Sequence, residues 1–239
     1  MPSVSWEEAK KLIDKIKFDL RNICQKHMDK GSCSHPEAKF LLSKIESFSV
    51  PHFYIVWKIL KNPIVGKPIV AGYNFVLTPV SIFAGTLLQD FYSKFDGILK
   101  DSLSLIKILE KTKFSIDSFL FTVDFESLYT NIPVTDTIEM MKTLVFQFQK
   151  VIPNAHFVID LLELVLKNSL MTFDKEYFQQ IFGIIMGTNL APILANLYLA
   201  MRQEEFKNKS KHDVTWPKLF LRFIDDGFGI FEGTKNEIE

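Results

Sequence analysis

The sequence predicts an α+β protein in which helices back an antiparallel sheet. Several long segments carry apolar residues at helical spacing, whereas other segments are short, β-prone runs separated by turn residues. No internal repeat or low-complexity segment interrupts this mixture. With 239 residues, 47% of them hydrophobic, the chain can bury a substantial core.

The N-terminal part predicts two helices. Apolar residues recur at helical spacing from Trp6 to Asp29, with lysines between them, which indicates an amphipathic helix. Gly31 and Pro36 interrupt this pattern. A shorter helix is expected from Glu37 to Ser47.

The following segment alternates between strands and turn residues. The elements expected are a strand from Phe53 to Ile59, a loop at Asn62-Pro63 and Gly66, a short apolar strand from Pro68 to Ala71, and a helix that opens at Thr78-Pro79 and reaches Tyr92 or Leu99.

The second half predicts strands whose ends carry acidic residues. Phe119 to Asp124 is apolar, β-prone and too short for a helix, so it predicts a buried strand ending in a carboxylate. The elements expected after it are helices at Pro133 to Lys150 and Ala155 to Leu170, a hairpin at Met171 to Phe182, a helix from near Asn189 to Phe206, and a hairpin at Leu219 to Phe231 with Asp225-Asp226 at its tip.

Composition and the N-terminus argue against a protein that binds polyanions through its net charge, against a disulfide-rich protein and against a secreted one. The 28 basic residues balance 28 acidic ones, so any affinity for nucleic acid must come from locally sorted charge. Cys24 and Cys33 cannot form a disulfide framework and are interpreted as reduced thiols. The N-terminus lacks the basic start and apolar run of a secretory signal, so an intracellular protein is expected.

Two uncharged stretches are as long as a bilayer-spanning helix, Pro68 to Gln89 and Ile181 to Met201. Each contains prolines, asparagines or glycines, which are costly in lipid unless neighbouring helices repair the backbone. We therefore expect both stretches to form buried core rather than to span a membrane.

Three carboxylates stand beside apolar strands. Asp124 ends one strand, and Asp225 and Asp226 lie between two others. If the strands belong to one sheet, the three negative charges lie close together and require a cation. Carboxylate oxygens select hard cations such as magnesium. Two such ions about 3.5–4 Å apart support phosphoryl transfer. The alternative is that Asp124 caps a turn and the pair is a solvated hairpin tip.

The sequence motifs around these acids resemble those of a known protein family. Phe121 to Pro133 resembles the first palm motif of reverse transcriptases, and its Leu-Tyr-Thr-Asn-Ile-Pro ending is similar to that of Penelope-like retroelements, which are related to telomerase. Gly183 to Tyr198, preceded by Gln180, is similar to the second palm motif, and Arg222 to Gly227 to the third. Upstream, Pro51 to Pro63 and Gly66 to Gly72 resemble the fingers motifs. The blocks occur in the family's order and cover most of the chain.

The resemblance implies a right-hand polymerase that copies an RNA template into DNA from a DNA primer and dNTPs, in the nucleus. It implies an N-terminal helical extension at 1–50, fingers at 51–118 and a palm at 119–239. Asp124, Asp225 and Asp226 fall on the catalytic, metal-holding positions for two magnesium ions, which manganese can replace. The chain ends soon after this motif, so we expect a fragment without the thumb, and a poor polymerase in isolation.

The resemblance also implies nucleotide and template contacts. The residues implied to bind nucleotide are Phe125, Tyr129, Gln180, Lys58, Lys61 and Lys67, and those near template and primer are Gly187 and Pro192. The Tyr129 ring is expected to pack beneath the sugar and block a 2′-hydroxyl; the alternative is a core aromatic. The relatives usually carry Arg where Lys67 stands, and lysine lacks the bidentate fork.

Two other functions remain open at the level of sequence. The chain could be a catalytically inactive remnant that binds nucleic acid or protein through an exposed apolar face. Alternatively, Cys24, His27, Cys33 and His35 could hold zinc, although their intervals miss the common finger spacings and two buried thiols at a helix end are the other interpretation.

Overall fold

A computed structural model describes residues 3–149, 154–209 and 216–233. The elements of the first half are β1 (Ser3–Val4), α1 (Trp6–Asp29), α2 (His35–Leu41), β2 (His52–Lys58), β3 (Val65–Ala71), α3 (Thr78–Gln89), a 3-10 helix (Asp90–Lys94) and α4 (Ser102–Lys111). Those of the second half are β4 (Ser118–Asp124), α5 (Leu128–Asn131), α6 (Val134–Gln147), α7 (Ala155–Lys167), β5 (Leu170–Phe173), β6 (Glu176–Gln179), α8 (Ala191–Lys209), β7 (Leu219–Phe223) and β8 (Asp226–Glu232).

The chain divides into two compact units. The first contains Met1–Asp90 and Tyr129–Ile193, and the second contains Phe91–Leu128 and Leu194–Glu239. The α+β fold class predicted from the sequence is confirmed. The division into fingers at 51–118 and palm at 119–239 stays a prediction.

The first unit combines a five-stranded sheet with a helical core. Its strand order is β1-β6-β5-β2-β3, and β2 pairs antiparallel with β3 along its whole length but parallel with β5 only at His52. The core lies between α1, α3 and α7, where the largest buried side chains include Ile16, Leu20, Phe157 and Leu161.

Helix α1 begins where its sequence provides a cap. The Ser5 side chain accepts a hydrogen bond from the Glu8 backbone, and the Glu8 carboxylate accepts one from the Ser5 backbone, which forms a capping box. Gly31, with φ of +69°, follows the helix end. The apolar stripe predicted for this segment faces the core and stays buried.

The second unit is built on a three-stranded antiparallel sheet with the order β4-β8-β7. The prediction of a buried strand before Asp124 is wrong in its burial. Leu120 is 65% exposed and Val123 is 36% exposed, because β4 is an edge strand of a small sheet. Apolar sequence indicated the strand itself but not how much of it would be covered.

Other predicted boundaries shift by a few residues. The helix expected from Glu37 to Ser47 is α2 and ends at Leu41, and the helix expected to reach Leu170 ends at Lys167 because Leu170 starts β5. The predicted helix end at Lys150 lies outside the described residues. No helix within the described residues is both long and apolar enough to cross a bilayer.

Candidate active-site residues

The three predicted carboxylate residues lie at one end of the second unit's sheet. Strand β4 pairs antiparallel with β8, and this register sets Asp124 opposite Asp226. Asp225 lies in the turn between β7 and β8, and its carbonyl oxygen accepts a hydrogen bond from the Phe125 N–H at 3.2 Å. Residues about 100 positions apart in sequence are thus neighbours through backbone pairing alone.

Glycines in β8 permit the close packing behind these acids. The Phe121 and Phe220 rings stack across the strand, with centroids 6.1 Å apart and planes inclined by 12°. A Cβ at Gly229 would overlap the Phe121 ring, so the stack requires glycine there. The repeated Gly-x-Gly of β8 is therefore explained by the rings that cross it.

The donor chemistry of the acids fits a hard divalent cation. Asp124 and Asp226 are exposed and Asp225 is half-buried, so all three can be reached from solvent. Paired residues on neighbouring strands face the same side of a sheet, which gives two oxygen donors on one face. Within the described residues, however, no three His, Cys, Asp or Glu side chains are already gathered as a metal-holding group.

A buried arginine supports the acidic hairpin. Arg222 is fully buried, and its guanidinium donates to the Asn196 side-chain oxygen at 2.9 Å, the Asn196 carbonyl at 3.1 Å and the Ile224 carbonyl at 2.9 Å. Asn196 in turn donates to the Tyr92 hydroxyl at 3.2 Å. Ile224 has φ of +54°, an uncommon conformation for a β-branched residue, so the bond to its carbonyl holds a strained turn beside Asp225.

Burial changes the ionisation of this network. It lowers the pKa of Arg222 to about 10, and it raises the pKa of Tyr92 despite the hydrogen bond from Asn196. The Arg222 Nε has no hydrogen-bond partner. Arg222 and Asn196 lie within the palm-like motifs, but the sequence predicts no role for them, because nothing in it shows that an arginine in a β-prone run is fully buried.

Four of the predicted contact residues line one cavity in the first unit. This cavity has a volume of about 440 Å³ and contains Lys67, Tyr129, Gly187 and Pro192 from the predicted set. The lining residues that sequence analysis did not assign are Met186, Thr188, Asn189 and Ala191. All four stand in or beside the second palm-like motif, so their position in the motif was the available signal.

Tyr129 is held at the cavity by the loop before α8. Its carbonyl accepts a hydrogen bond from the Ile184 N–H at 2.8 Å, and its side chain is half-buried. Gly183, with φ of +79°, packs so closely that a Cβ would lie 2.8 Å from the Thr130 backbone. Backbone contacts therefore position this tyrosine.

Gly187 is required by the protein's own backbone. Its φ is +120°, and a Cβ would overlap the carbonyl oxygen of Val70 in β3. The neighbouring Met186 carbonyl accepts a hydrogen bond from the Val70 N–H at 2.8 Å. The expected close approach at this glycine is thus made by β3, although Gly187 also lines the cavity.

The remaining predicted residues lie elsewhere. Lys58 ends β2 and Lys61 follows it in the loop, and both are exposed and away from the cavity lining. Gln180 donates its side-chain amide to the Phe182 carbonyl at 2.8 Å. Phe125 is half-buried in the second unit, and its backbone N–H donates to the Asp225 carbonyl oxygen.

The structure favours the buried-thiol interpretation of the N-terminal Cys/His residues. Burial raises the pKa of the Cys24 thiol to about 12 and also raises that of Cys33, which disfavours the thiolates that bind zinc. His27 is engaged with Ser32 at 2.8 Å and Asp160 at 2.9 Å. His35 is exposed at the start of α2.

Comparison with known proteins gives similarity in structure only. No family model and no curated protein matches the chain. Telomerase from Candida tropicalis is similar with a TM-score of 0.56 and 12% identity over 79% of this chain and 39% of that one. Candida albicans telomerase, in complex with a TWJ fragment of telomeric RNA, is similar with a TM-score of 0.53 and 13% sequence identity. The match covers 82% of this chain and 40% of that chain.

A viral enzyme is similar as well. The BmCPV RNA-dependent RNA polymerase at its elongation state has a TM-score of 0.51 and 11% identity, over 99% of this chain and 22% of that chain. The chain spans about two fifths of the length of the Candida telomerases. At these identities the comparisons show a polymerase-like fold, of the kind shared by telomerase and viral RNA polymerase.

Proposed function

We propose that this protein, which has a polymerase-like fold, is a reverse-transcriptase core of the Penelope-like type that adds dNTPs to a DNA primer on an RNA template. The observation that carries the proposal is the register of β4 on β8, which brings Asp124 opposite Asp226 with Asp225 in the adjoining turn. The motif resemblance assigns the same three residues to catalysis. A retroelement protein of this kind acts in the nucleus.

The three carboxylates would hold two magnesium ions, or manganese in their place. Oxygen-only donors on side chains that solvent can reach suit these cations. When bound, a metal pair stabilises charge on the entering and leaving oxygens of nucleotidyl transfer. Three neighbouring negative charges repel one another, so we expect the side chains to gather only when cations are present.

The cavity of the first unit would take the incoming nucleotide. We assign Tyr129 to the sugar, where a ring excludes a 2′-hydroxyl sterically, because pocket affinity alone discriminates poorly against one added hydroxyl. Lys67 would contact the triphosphate as a point charge. The other nucleotide contacts we propose are Phe125, Gln180, Lys58 and Lys61, and those to template and primer are Gly187 and Pro192.

Single-nucleotide addition tests this proposal. With enzyme in excess over an RNA template–DNA primer duplex, we expect magnesium-dependent addition of the complementary dNTP. Asp225→Asn and Asp124→Asn should lower the rate at least about 100-fold, since the metals supply several kcal/mol of transition-state stabilisation.

Asp174→Asn provides the matched control. Asp174 is exposed in the β5–β6 turn with φ of +47°, a conformation that asparagine also tolerates. The same charge is removed there without touching the proposed site. No addition by the unaltered protein, or equal rates for Asp225→Asn and Asp174→Asn, would contradict the polymerase assignment.

A second candidate function is binding without catalysis. It is favoured by the exposed apolar side chains of the second unit, where Leu103 and Leu120 are each 65% exposed and Phe223 is 47% exposed. Exposed apolar surface of this kind is typical of interaction sites. Retention of nucleic acid or a protein partner without metal-dependent addition would support this function over the first.

A further inference from the structure

A serine, a histidine and an aspartate form a hydrogen-bonded chain in the first unit. The Ser32 Oγ lies 2.8 Å from the His27 Nδ1, and the His27 Nε2 lies 2.9 Å from the Asp160 Oδ2. His27 is in the last turn of α1, Ser32 follows that helix, and Asp160 belongs to α7. None of the three has a role in the proposed polymerase site. A hydroxyl, an imidazole and a carboxylate joined in this order are the groups that nucleophilic acyl transfer requires.

The aspartate fixes which ring nitrogen carries the proton. Burial opposes the ionisation of Asp160, but hydrogen bonds from Lys26 and His27 hold the pKa of its carboxyl below the usual range. An ionised carboxylate only accepts hydrogen bonds, so the His27 Nε2 donates to it. In the neutral imidazole Nδ1 is then the acceptor. His27 is therefore in the tautomer that can take the proton of Ser32.

The ring nitrogen is the nearer of two acceptors for the Ser32 hydroxyl. The His27 carbonyl oxygen lies 3.3 Å from the Ser32 Oγ, compared with 2.8 Å for Nδ1. In serine proteases the carboxylate holds Nδ1 and the serine meets Nε2. Here the two nitrogens exchange places, and the proton still passes from a hydroxyl to the unprotonated nitrogen.

The base is buried, whereas the nucleophile can be reached. His27 is 1% exposed and its ring packs on Phe157, with centroids 4.8 Å apart. Ser32 is half-buried, and its N–H donates to the His27 carbonyl at 2.8 Å, which holds the serine against the end of α1. A base fixed by packing and a nucleophile fixed by its backbone need little reorganisation before reaction.

Both Ser32 and His27 line a cavity of about 180 Å³. The other lining residues with polar side chains are Lys30, Gln149, Asn154 and His156. Among the described residues, no Asp or Glu lines this cavity, so no fixed negative charge opposes an oxyanion there. The Lys30 ammonium and the two amides are donors of the kind that stabilises one. The cavity is smaller than the pockets of about 300–1,000 Å³ that hold drug-sized ligands, so it suits a short acyl group.

We propose that Ser32, His27 and Asp160 form an acyl-transfer site that hydrolyses esters of short-chain carboxylic acids. The Ser32 Oγ attacks the acyl carbon while its proton passes to the His27 Nδ1. The bond from the acyl carbon to the alcohol oxygen breaks, and His27 gives the proton to the leaving alkoxide. Water then attacks the acyl-serine, its proton passes through His27 to the Ser32 Oγ, and the carboxylic acid leaves. The activity goes beyond the proposed polymerase and needs neither a metal nor a nucleotide.

Hydrolysis of p-nitrophenyl acetate by the full chain in EDTA, followed by the absorbance of p-nitrophenolate, tests this site. After subtraction of spontaneous hydrolysis, we expect Ser32→Ala to lower kcat/KM about 100-fold or more, since both the nucleophile and its general base are then idle. Asp160→Asn should lower kcat and leave KM nearly unchanged, because Asp160 orients His27 but does not line the cavity.

Two control variants measure reactions outside the site. Ser43→Ala removes an exposed serine of the same unit, and His35→Gln removes an exposed imidazole that could react slowly with an activated ester. Both should hydrolyse the ester as the unaltered protein does. No hydrolysis by the unaltered protein, or equal rates for Ser32→Ala and Ser43→Ala, would overturn the proposal.

Covalent labelling identifies the nucleophile without any substitution. Diisopropyl fluorophosphate should transfer its phosphoryl group to the Ser32 Oγ with loss of fluoride, and peptide mass spectrometry locates the added mass. Labelling at Ser32 that a short-chain ester slows would support the site even if Ser32→Ala failed to fold. An unlabelled Ser32, or equal labelling of Ser32 and Ser43, would contradict it.

Discussion

At the scale of single residues, Arg222 is a buried cation whose recorded hydrogen bonds go to neutral oxygens. Its guanidinium reaches three acceptors on Asn196 and Ile224, and two of these acceptors are backbone carbonyls. The planar guanidinium of arginine can donate to several acceptors at once. The lysine ammonium is a compact point charge and does not reproduce this arrangement of donors. The turn that presents Asp225 therefore depends on arginine rather than on positive charge alone.

Arg222→Lys should lower the free energy of unfolding by about 1–3 kcal/mol, because lysine leaves buried acceptors unsatisfied. Urea unfolding followed by Trp216 fluorescence measures it, in a Trp6→Phe, Trp57→Phe background, since Trp216 packs on Phe206 and Phe220 in the same unit. Arg21→Lys, at an exposed ion pair with Glu46, should change it by less than about 0.5 kcal/mol. Equal effects of the two substitutions would contradict this account.

At the acidic residues the sequence predicted a proximity in space, whereas their catalytic role stays a prediction. Carboxylates beside apolar strands predicted that Asp124 lies near the Asp225-Asp226 pair, and the register of β4 on β8 places Asp124 opposite Asp226. The partners of Arg222 were not predictable, because Tyr92 and Asn196 come from distant parts of the sequence and carry no distinguishing pattern. Their roles follow only from burial.

At the scale of elements, α1 and α7 are joined by a partly buried ionic cluster. Asp160 of α7 accepts hydrogen bonds from His27 at 2.9 Å and Lys26 at 2.7 Å, both near the end of α1. Burial acts to raise the pKa of Asp160, but these two hydrogen bonds outweigh it and the pKa lies below its usual range. The ionised carboxylate thus stabilises the packing of the two helices.

Asp160→Ala should lower the free energy of unfolding by about 1–3 kcal/mol at pH 7, because buried His27 loses a partner. A depressed pKa in the folded state contributes stability that is complete above the unfolded pKa of about 3.9 and is lost as pH falls towards the lower folded value. The difference should therefore shrink at pH 3.

Urea unfolding at pH 7 and pH 3 makes this comparison. Asp14→Ala is the matched control, since Asp14 is an exposed aspartate on the same helix α1. It should change stability by less than about 0.5 kcal/mol at both pH values. A loss for Asp160→Ala that is equal at the two pH values would show that the carboxylate charge is not the cause.

Periodicity predicted the elements well and their exposure poorly. The amphipathic pattern of α1 and the β-prone run of β4 both formed the expected element. Helix α4 was not predicted; no side chain in it is fully buried, although Asp101 caps its start through the Ser104 N–H at 2.7 Å. Local spacing therefore indicates which secondary structure forms, but the covering of an element depends on what packs against it.

At the scale of the whole molecule, the balanced charge limits electrostatic attraction to nucleic acid. The charges of Lys58, Lys61 and Lys67 in the β2–β3 hairpin are balanced by acidic residues elsewhere, since the chain has 28 basic and 28 acidic residues. Long-range attraction is therefore weak, and binding should depend on local contacts. Salt dependence measures how many phosphates those contacts neutralise.

For single-stranded RNA we expect a plot of log K against log salt concentration with a slope of about −1.4, since Lys58 and Lys61 would each contribute about 0.7. Lys61→Gln should reduce the slope's magnitude by about 0.7, measured by anisotropy across a potassium chloride series. Lys10→Gln, an exposed lysine on α1, should leave it unchanged. A much steeper slope would mean that basic residues outside the hairpin dominate binding.

The sequence by itself predicted the fold class, many of the helices and strands, and the three acidic residues near one sheet end, because spacing and residue type are local properties. Only the tertiary structure decided that Arg222 is buried near the acidic turn, that much of β4 is exposed, and that Trp57 is exposed beside Gly66. These facts depend on which distant segments pack together and which faces they leave uncovered. Burial and register are properties of the folded chain, and no local pattern encodes them.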